Sequence, residues 1–161
     1  MNHYWYLIVD GGMTADAAAH GIRELDLEGT LGIIGAEGHG PYNRPPLSKG
    51  LWKGMPEAAI WRDTAATNAE MHLGRRVVGI GPVANHVTDD IGVTYKYEKL
   101  LLATGGSPRR LRLDSEQVIY YRTVEDYRRL RTLGTAAQSC GSRRGSRLSE
   151  PSRSRGASPR A

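Results

Sequence analysis

The chain has 161 residues, 39% of them hydrophobic, which is enough for one packed domain. Its net charge of +5 lies wholly between Gly134 and Ala161, where six arginines face one acid, Glu150, so the body of the chain is neutral and offers no net-basic footprint for nucleic acid. A single cysteine, Cys140, excludes an internal disulfide or redox dithiol; no apolar run approaches the ~18 residues of a bilayer span, and no basic-then-apolar leader opens the sequence, so a soluble cytoplasmic protein is expected.

Tyr4 to Val9 is almost wholly apolar and rich in aromatic and β-branched residues, the pattern of a strand buried on both faces of a parallel sheet. Asp10, Gly11 and Gly12 break it. From Met13 to Leu25, Ala15, Ala18, Ala19, Ile22 and Leu25 recur at helical spacing and predict an amphipathic helix. A second strand is expected at Leu31 to Ile34, completing a strand-turn-helix-strand unit within about 30 residues. Gly38 to Pro46 reads as loop, and Ser48 could cap one helical turn running to Trp52. Strands are expected at Leu73 to Ile80, Asn85 to Thr88 and Thr94 to Tyr97, the last two joined as a hairpin by Asp89 to Gly92. Leu100 to Ala103 is a further buried strand. Val118 to Tyr121 reads as strand and Val124 to Leu133 as helix, with Thr123 as its N-cap. Gly134 to Ala161 holds one large aliphatic residue, Leu148, and predicts disorder, because it cannot bury enough apolar surface to offset ordering entropy.

Four segments carry chemistry. Asp10 to Ala15 is the dinucleotide fingerprint G-x-G-x-x-G/A with Asp10 in the first place. Gly12 would let the backbone approach a pyrophosphate, and Ala15 would let helix and strand pack closely. The helix N-terminus adds free N–H groups and a partial positive charge. Taken alone, the segment also fits an ordinary strand-to-helix turn. Glu37 follows the second strand, where a carboxylate can accept hydrogen bonds from ribose hydroxyls; a surface glutamate is the plain alternative. Pro41 to Lys49 brackets a stiff diproline with Arg44, a phosphate clamp by chemistry, and Lys49, a point charge; solvated surface charges would look the same. Leu100 to Gly106 is a buried strand ending in small residues. The five histidines show no ligand spacing, and no metal site is expected.

Together these segments are specific. YLIVDGGMTA (Tyr6 to Ala15), GAE (Gly35 to Glu37), PYNRPPLSK (Pro41 to Lys49), LLLATG (Leu100 to Gly105) and YRTVEDY (Tyr121 to Tyr127) resemble the FAD-dependent ferredoxin and rubredoxin reductases, a branch of the pyridine nucleotide-disulfide oxidoreductase superfamily. The resemblance covers about Tyr4 to Leu133. It implies an α/β fold: part of an FAD-binding Rossmann-type domain, a parallel sheet with an inserted hairpin, truncated and followed by the basic tail. The implied layout is a first half of the FAD domain at 1–113, the start of an NAD(P)-binding domain at 114–133, and the tail at 134–161. It implies FAD as cofactor, with Gly11, Gly12, Met13 and Ala15 at the pyrophosphate and Glu37 on the adenosine ribose. Arg44 would lie by the pyrophosphate, and Lys49, the implied catalytic residue, near the isoalloxazine. Val78 would meet the adenine through its backbone; Ala103, Thr104 and Gly105 would pass under the cofactor, with Arg110 nearby. Such enzymes take hydride from NAD(P)H and pass electrons to a ferredoxin- or rubredoxin-like partner, with no membrane or nucleic acid involved.

The sequence departs from that pattern at Asp10. It departs again after Leu133, where a second glycine-rich fingerprint for NAD(P)H is expected and Gly134 to Cys140 reads GTAAQSC. The Ser/Arg/Gly/Pro composition of the tail resembles out-of-frame translation of a GC-rich gene. A catalytically incomplete flavoprotein fragment is therefore one expectation. A non-catalytic or decayed gene product, or a protein that associates with nucleic acid through its tail, is the other.

Overall fold

The computed structural model describes residues 2–111 and 118–142, with 135–142 as backbone only. Eight elements follow in order: β1 (Asn2–Val9), α1 (Met13–Leu25), β2 (Leu31–Gly35), β3 (Glu70–Leu73), β4 (Val77–Gly81), β5 (His86–Asp89), β6 (Thr94–Leu102) and α2 (Val124–Ser142). Four short 3-10 turns punctuate the stretch between β2 and β3.

The strands form a single six-stranded sheet in the order β3-β2-β1-β6-β5-β4. The first four in that order run parallel, with Ile8 opposite Ile33 on β2 and Leu101 on β6. β4, β5 and β6 form an antiparallel meander. This is the expected α/β architecture, a parallel sheet carrying an inserted hairpin. β2 is buried along its whole length, since β1 and β3 flank it and side chains cover both faces.

One face of the sheet packs Ile8, Leu31 and Ile33 against Ala15 and Ala19 of α1. The other gathers Tyr4, Leu7, Val9, Ile34, Val87, Tyr95 and Tyr97. A third cluster joins Tyr42, Leu47, Leu51 and Ile60 to Val124 and Tyr127, and so ties the loop after β2 to the first turns of α2. Asp89 closes the β5–β6 hairpin: its carboxylate accepts the N–H groups of Ile91 and Val93 and the Tyr95 hydroxyl at 2.8–3.1 Å.

α1 has the expected bounds, but Leu25 is 92% exposed, so the apolar face ends at Ile22. The expected strand 73–80 is two strands. Gly74 takes a φ of +67°, and the N–H groups of Gly74 and Arg75 turn back to the carbonyls of Glu37 and Gly35. The strands expected at 94–97 and 100–103 are one, β6, because nothing between them breaks the pleat. Val118 to Tyr121, expected as a strand, is irregular, and the Tyr121 hydroxyl donates to the Leu47 carbonyl. Two 3-10 turns, Pro45–Ser48 and Gly50–Lys53, replace the helical turn expected from Ser48, and Ser48 caps neither. Thr123 does cap α2: its Oγ1 accepts the Asp126 N–H while the Asp126 carboxylate accepts the Thr123 N–H, a reciprocal box. α2 continues past Leu133 to Ser142, so the expected disordered tail is helical over 134–142; the rest of that expectation, 143–161, lies outside the described residues.

Candidate functional site

Parallel strands leave a crevice at their carboxyl ends, and β1 feeds it with a turn that has little bulk. The Asp10 N–H is bound to the Ile34 carbonyl at 2.7 Å, which sets the chain leaving β1 against the end of β2. Gly11 and Gly35 then touch: a Cβ on Gly35 would come within 3.3 Å of the Gly11 Cα. Gly12 stands at the N-cap of α1 in extended conformation with no side-chain cap. The helical ladder begins with the Asp16 N–H on the Gly12 carbonyl, so the amides before it make no intrahelical bond. Met13 is half-buried, and Ala15 is fully buried between α1 and the sheet, where a larger side chain would push the helix away. Gly11, Gly12, Met13 and Ala15 thus lie at the positively polarised end of α1, where the Asp10 carboxylate accepts the Gly11 N–H at 2.9 Å.

Beside this turn lies a cavity of about 160 Å³ lined by Val9, Asp10, Ile34, Ala36, Arg75, Arg76, Val77 and Thr104. Thr104 is the one residue of the expected cofactor set that lines it. Arg75 and Arg76 bring two cations that the motifs did not single out. Their signal was the Gly74-Arg75-Arg76 break within an apolar run. Val78 is 64% exposed and sits where the β4–β5 register shifts between Val77 and Gly79, so the bulge frees its backbone from the ladder. Ala103 is buried, with its N–H on the Val9 carbonyl at 2.9 Å, and Gly105 takes a φ of +60°.

Glu37 and Arg44, expected to serve ribose and pyrophosphate separately, are paired with each other. Arg44 Nη2 lies 2.6 Å from Glu37 Oε1, and Arg44 Nη1 donates to the Arg122 carbonyl. Tyr42, buried between them, donates its hydroxyl to Glu37 Oε2 at 2.7 Å and accepts the Val124 N–H at 3.0 Å. Burial first, and then the Glu37 carboxylate, push the Tyr42 hydroxyl well above the usual phenol range. Sequence reasoning missed Tyr42, whose position inside the proline-rich loop was its only signal. Lys49 is exposed between the two 3-10 turns, and Arg110 lies 5.3 Å over the Tyr120 ring; neither lines the cavity.

A buried network braces the arrangement from behind. Asp16, in the first turn of α1, is 1% exposed and binds Arg62 Nε at 2.5 Å and Thr64 Oγ1 at 2.6 Å. Arg62 also reaches Asn43 Oδ1, next to Arg44. The carboxylate therefore fixes the loop bearing Arg44 to the helix whose N-terminus faces the crevice.

The sequence profile of the family described as pyridine nucleotide-disulphide oxidoreductase matches residues 4–140. The chain belongs to that family. The ferredoxin reductase subunit of the 5,5'-dehydrodivanillate O-demethylase of Sphingobium sp. (strain NBRC 103272 / SYK-6) is 38% identical over 119 residues, which are 69% of this chain and 28% of that protein. Rubredoxin-NAD(+) reductase of Pseudomonas putida is 35% identical over 133 residues, 78% of this chain and 34% of the relative. The crystal structure of the ferredoxin reductase for the CYP199A2 system of Rhodopseudomonas palustris superposes with a TM-score of 0.72 at 26% identity, over 82% of this chain and 35% of that one. This member of the family thus spans about a third of the length of such relatives. The six-stranded sheet is that of their FAD-binding, Rossmann-like domain. Among the described residues no helix is long and apolar enough to cross a membrane.

Proposed function

We propose that the chain is the FAD-binding portion of an NAD(P)H-dependent reductase whose flavin passes electrons to a ferredoxin- or rubredoxin-like acceptor. The observation that carries this reading is the crowded Gly11–Gly35 contact beside the uncapped N-terminus of α1, at the carboxyl end of a central parallel strand. Such a turn suits a diphosphate, because Gly11 and Gly12 add no side chains of their own and the first amides of α1 point into the crevice; the Asp10 carboxylate, on the Gly11 N–H at 2.9 Å, is the group a phosphate would have to displace. Gly11, Gly12, Met13 and Ala15 would hold the pyrophosphate. Glu37 would bind the adenosine ribose, on exchanging part of its bonding to Arg44 and Tyr42, and Arg44 would turn to the pyrophosphate. The freed backbone of Val78 would meet the adenine. Ala103, Thr104 and Gly105 would run under the cofactor, near Arg110, and Lys49 would approach the isoalloxazine. FAD would supply the step between two-electron and one-electron chemistry.

In this reading residues 1–113 form the first half of the FAD domain, 114–133 open the NAD(P)-binding domain, and the basic stretch takes no part in chemistry. On the same reading the 161-residue polypeptide does not turn over NAD(P)H, since Gly134 to Cys140 read GTAAQSC where the glycine-rich fingerprint that would hold hydride donor and flavin in near-attack geometry is expected. The test has two readouts. Protein purified with excess FAD is expected to retain flavin near one per chain by visible absorption. Colourless protein that retards RNA on a gel would overturn the reading in favour of a nucleic-acid-associating product. Stopped-flow mixing with NADH is expected to bleach bound flavin no faster than free FAD; rapid bleaching would refute the claimed inactivity.

A further inference from the structure

Asp10 stands in the fingerprint place where glycine is usual, and the structure shows why glycine is usual there. The φ of Asp10 is +86°, a backbone region that L side chains seldom enter. The chain must take it to carry the Asp10 N–H to Ile34 while delivering Gly11 against Gly35. The side chain that results is not idle. Asp10 Oδ1 accepts the Gly11 N–H at 2.9 Å, and Oδ2 stands 4.0 Å from the place a Cβ would occupy on Gly12. A carboxylate therefore already lies over both turn glycines, engaging one of the amides that a phosphate oxygen would use. The same residue lines the cavity that Arg75 and Arg76 make attractive to anions.

We infer that Asp10 tunes the affinity of this site for a diphosphate ligand: its carboxylate acts as an internal anion at the glycine turn and competes with the ligand's diphosphate for the Gly11 amide. The inference rests on the flavin reading of the site. Two effects act together. The Gly11 amide must be surrendered by Asp10 before a phosphate can use it, and the two like charges then lie within a few ångströms. The partial positive charge of the α1 N-terminus and the two arginines offset this only in part, because they attract the carboxylate as well as the ligand.

The test compares the full 161-residue chain with Asp10→Asn and Asp10→Gly, titrating FAD by quenching of flavin fluorescence. Asn keeps the shape and the tolerance of positive φ but loses the charge; Gly loses both side chain and strain. At low ionic strength the Asn form is expected to bind FAD about tenfold more tightly than the Asp form, and the Gly form at least as tightly as Asn. Raising the salt to about 0.5 M is expected to shrink the Asp-to-Asn ratio to about threefold, because like-charge repulsion is screened. Equal dissociation constants for the Asp and Asn forms would overturn the inference. A ratio that salt does not move would overturn it too, since it would make the effect one of shape. Retention of no FAD by any of the three, each folded by circular dichroism, would overturn the flavin reading itself and this inference with it; the first two outcomes leave that reading intact.

Discussion

Two buried side chains, Tyr42 and Asp16, hold the loop that bears Arg44, and their worth can be measured. The Tyr42 hydroxyl satisfies the Val124 N–H at the start of α2 while it binds Glu37, so removing it strands a buried amide. Tyr42→Phe is expected to cost about 1–3 kcal/mol by urea unfolding, the penalty of an unmade buried hydrogen bond; a cost under about 0.5 kcal/mol would mean that water takes the place of the hydroxyl. Asp16→Ala is expected to cost more, about 3–5 kcal/mol, because it leaves the half-buried Arg62 guanidinium without its carboxylate. Wild-type stability in that variant would show that Arg62 finds another acceptor. Glu37, Arg44 and Lys49 were legible in the sequence as charged residues after a strand and around a diproline, and their expected roles came from the family resemblance. The pairing of Glu37 with Arg44 was not, since it depends on the three-dimensional path of Pro41 to Arg44. Tyr42 was invisible for a related reason: a buried tyrosine and a surface tyrosine look alike in a loop.

Elements were legible where sequence punctuation and periodicity agreed. α1 starts and stops at its expected residues because two glycines precede it and alanines mark its inner face. The 70–81 stretch was misread because Leu73 and Val77 look continuous, while the break at Gly74 is enforced by carbonyls from another part of the chain. The β5–β6 hairpin was legible from its acidic turn, and the structure adds the reason the turn holds. Burial pushes the Asp89 carboxyl up, but hydrogen bonds from Val93, Tyr95 and Ile91 outweigh it and hold the group below the usual carboxylate range. Burial first, and then Asp89, raise the Tyr95 hydroxyl in turn to about 12. A lowered carboxylate stabilises the fold above its unfolded pKa of about 3.9, and the contribution fades as pH falls through the lower folded value. Unfolding free energy is therefore expected to drop below about pH 4, and the drop should be smaller in Asp89→Asn. At neutral pH Asp89→Ala is expected to cost about 2–4 kcal/mol, since three donors lose one charged acceptor. Parallel pH profiles for wild type and Asp89→Asn would show that other carboxylates govern acid unfolding.

At the scale of the whole molecule, folding and charge belong to different parts of the chain. Among the described residues, every member of the three buried clusters lies between Tyr4 and Tyr127. The six arginines of the C-terminal stretch all fall at Arg143 or beyond, with Glu150 the only acid there, so residues 1–142 carry no net charge. The fold class was legible at this scale because strand, glycine turn, helix and strand follow within about 30 residues and the quoted segments resemble one family, while composition marked only the change to the Ser/Arg-rich stretch; the continuation of α2 to Ser142 was not legible, because the composition changes ahead of the end of the helix. The separation predicts two independent outcomes for a chain ending at Ser142. Its thermal midpoint is expected to stay within about 2 °C of the full chain, because a shift that small corresponds to well under 1 kcal/mol for a domain of this size and no buried cluster is touched. Its retention on heparin is expected to vanish at low salt, because the whole net positive charge has gone. A midpoint lowered by about 5 °C or more would place residues beyond Ser142 in contact with the core. Retention that survived the deletion would locate the basic surface on the folded body, at Arg75 and Arg76 beside the crevice, where it would serve an anionic ligand and not the C-terminal stretch.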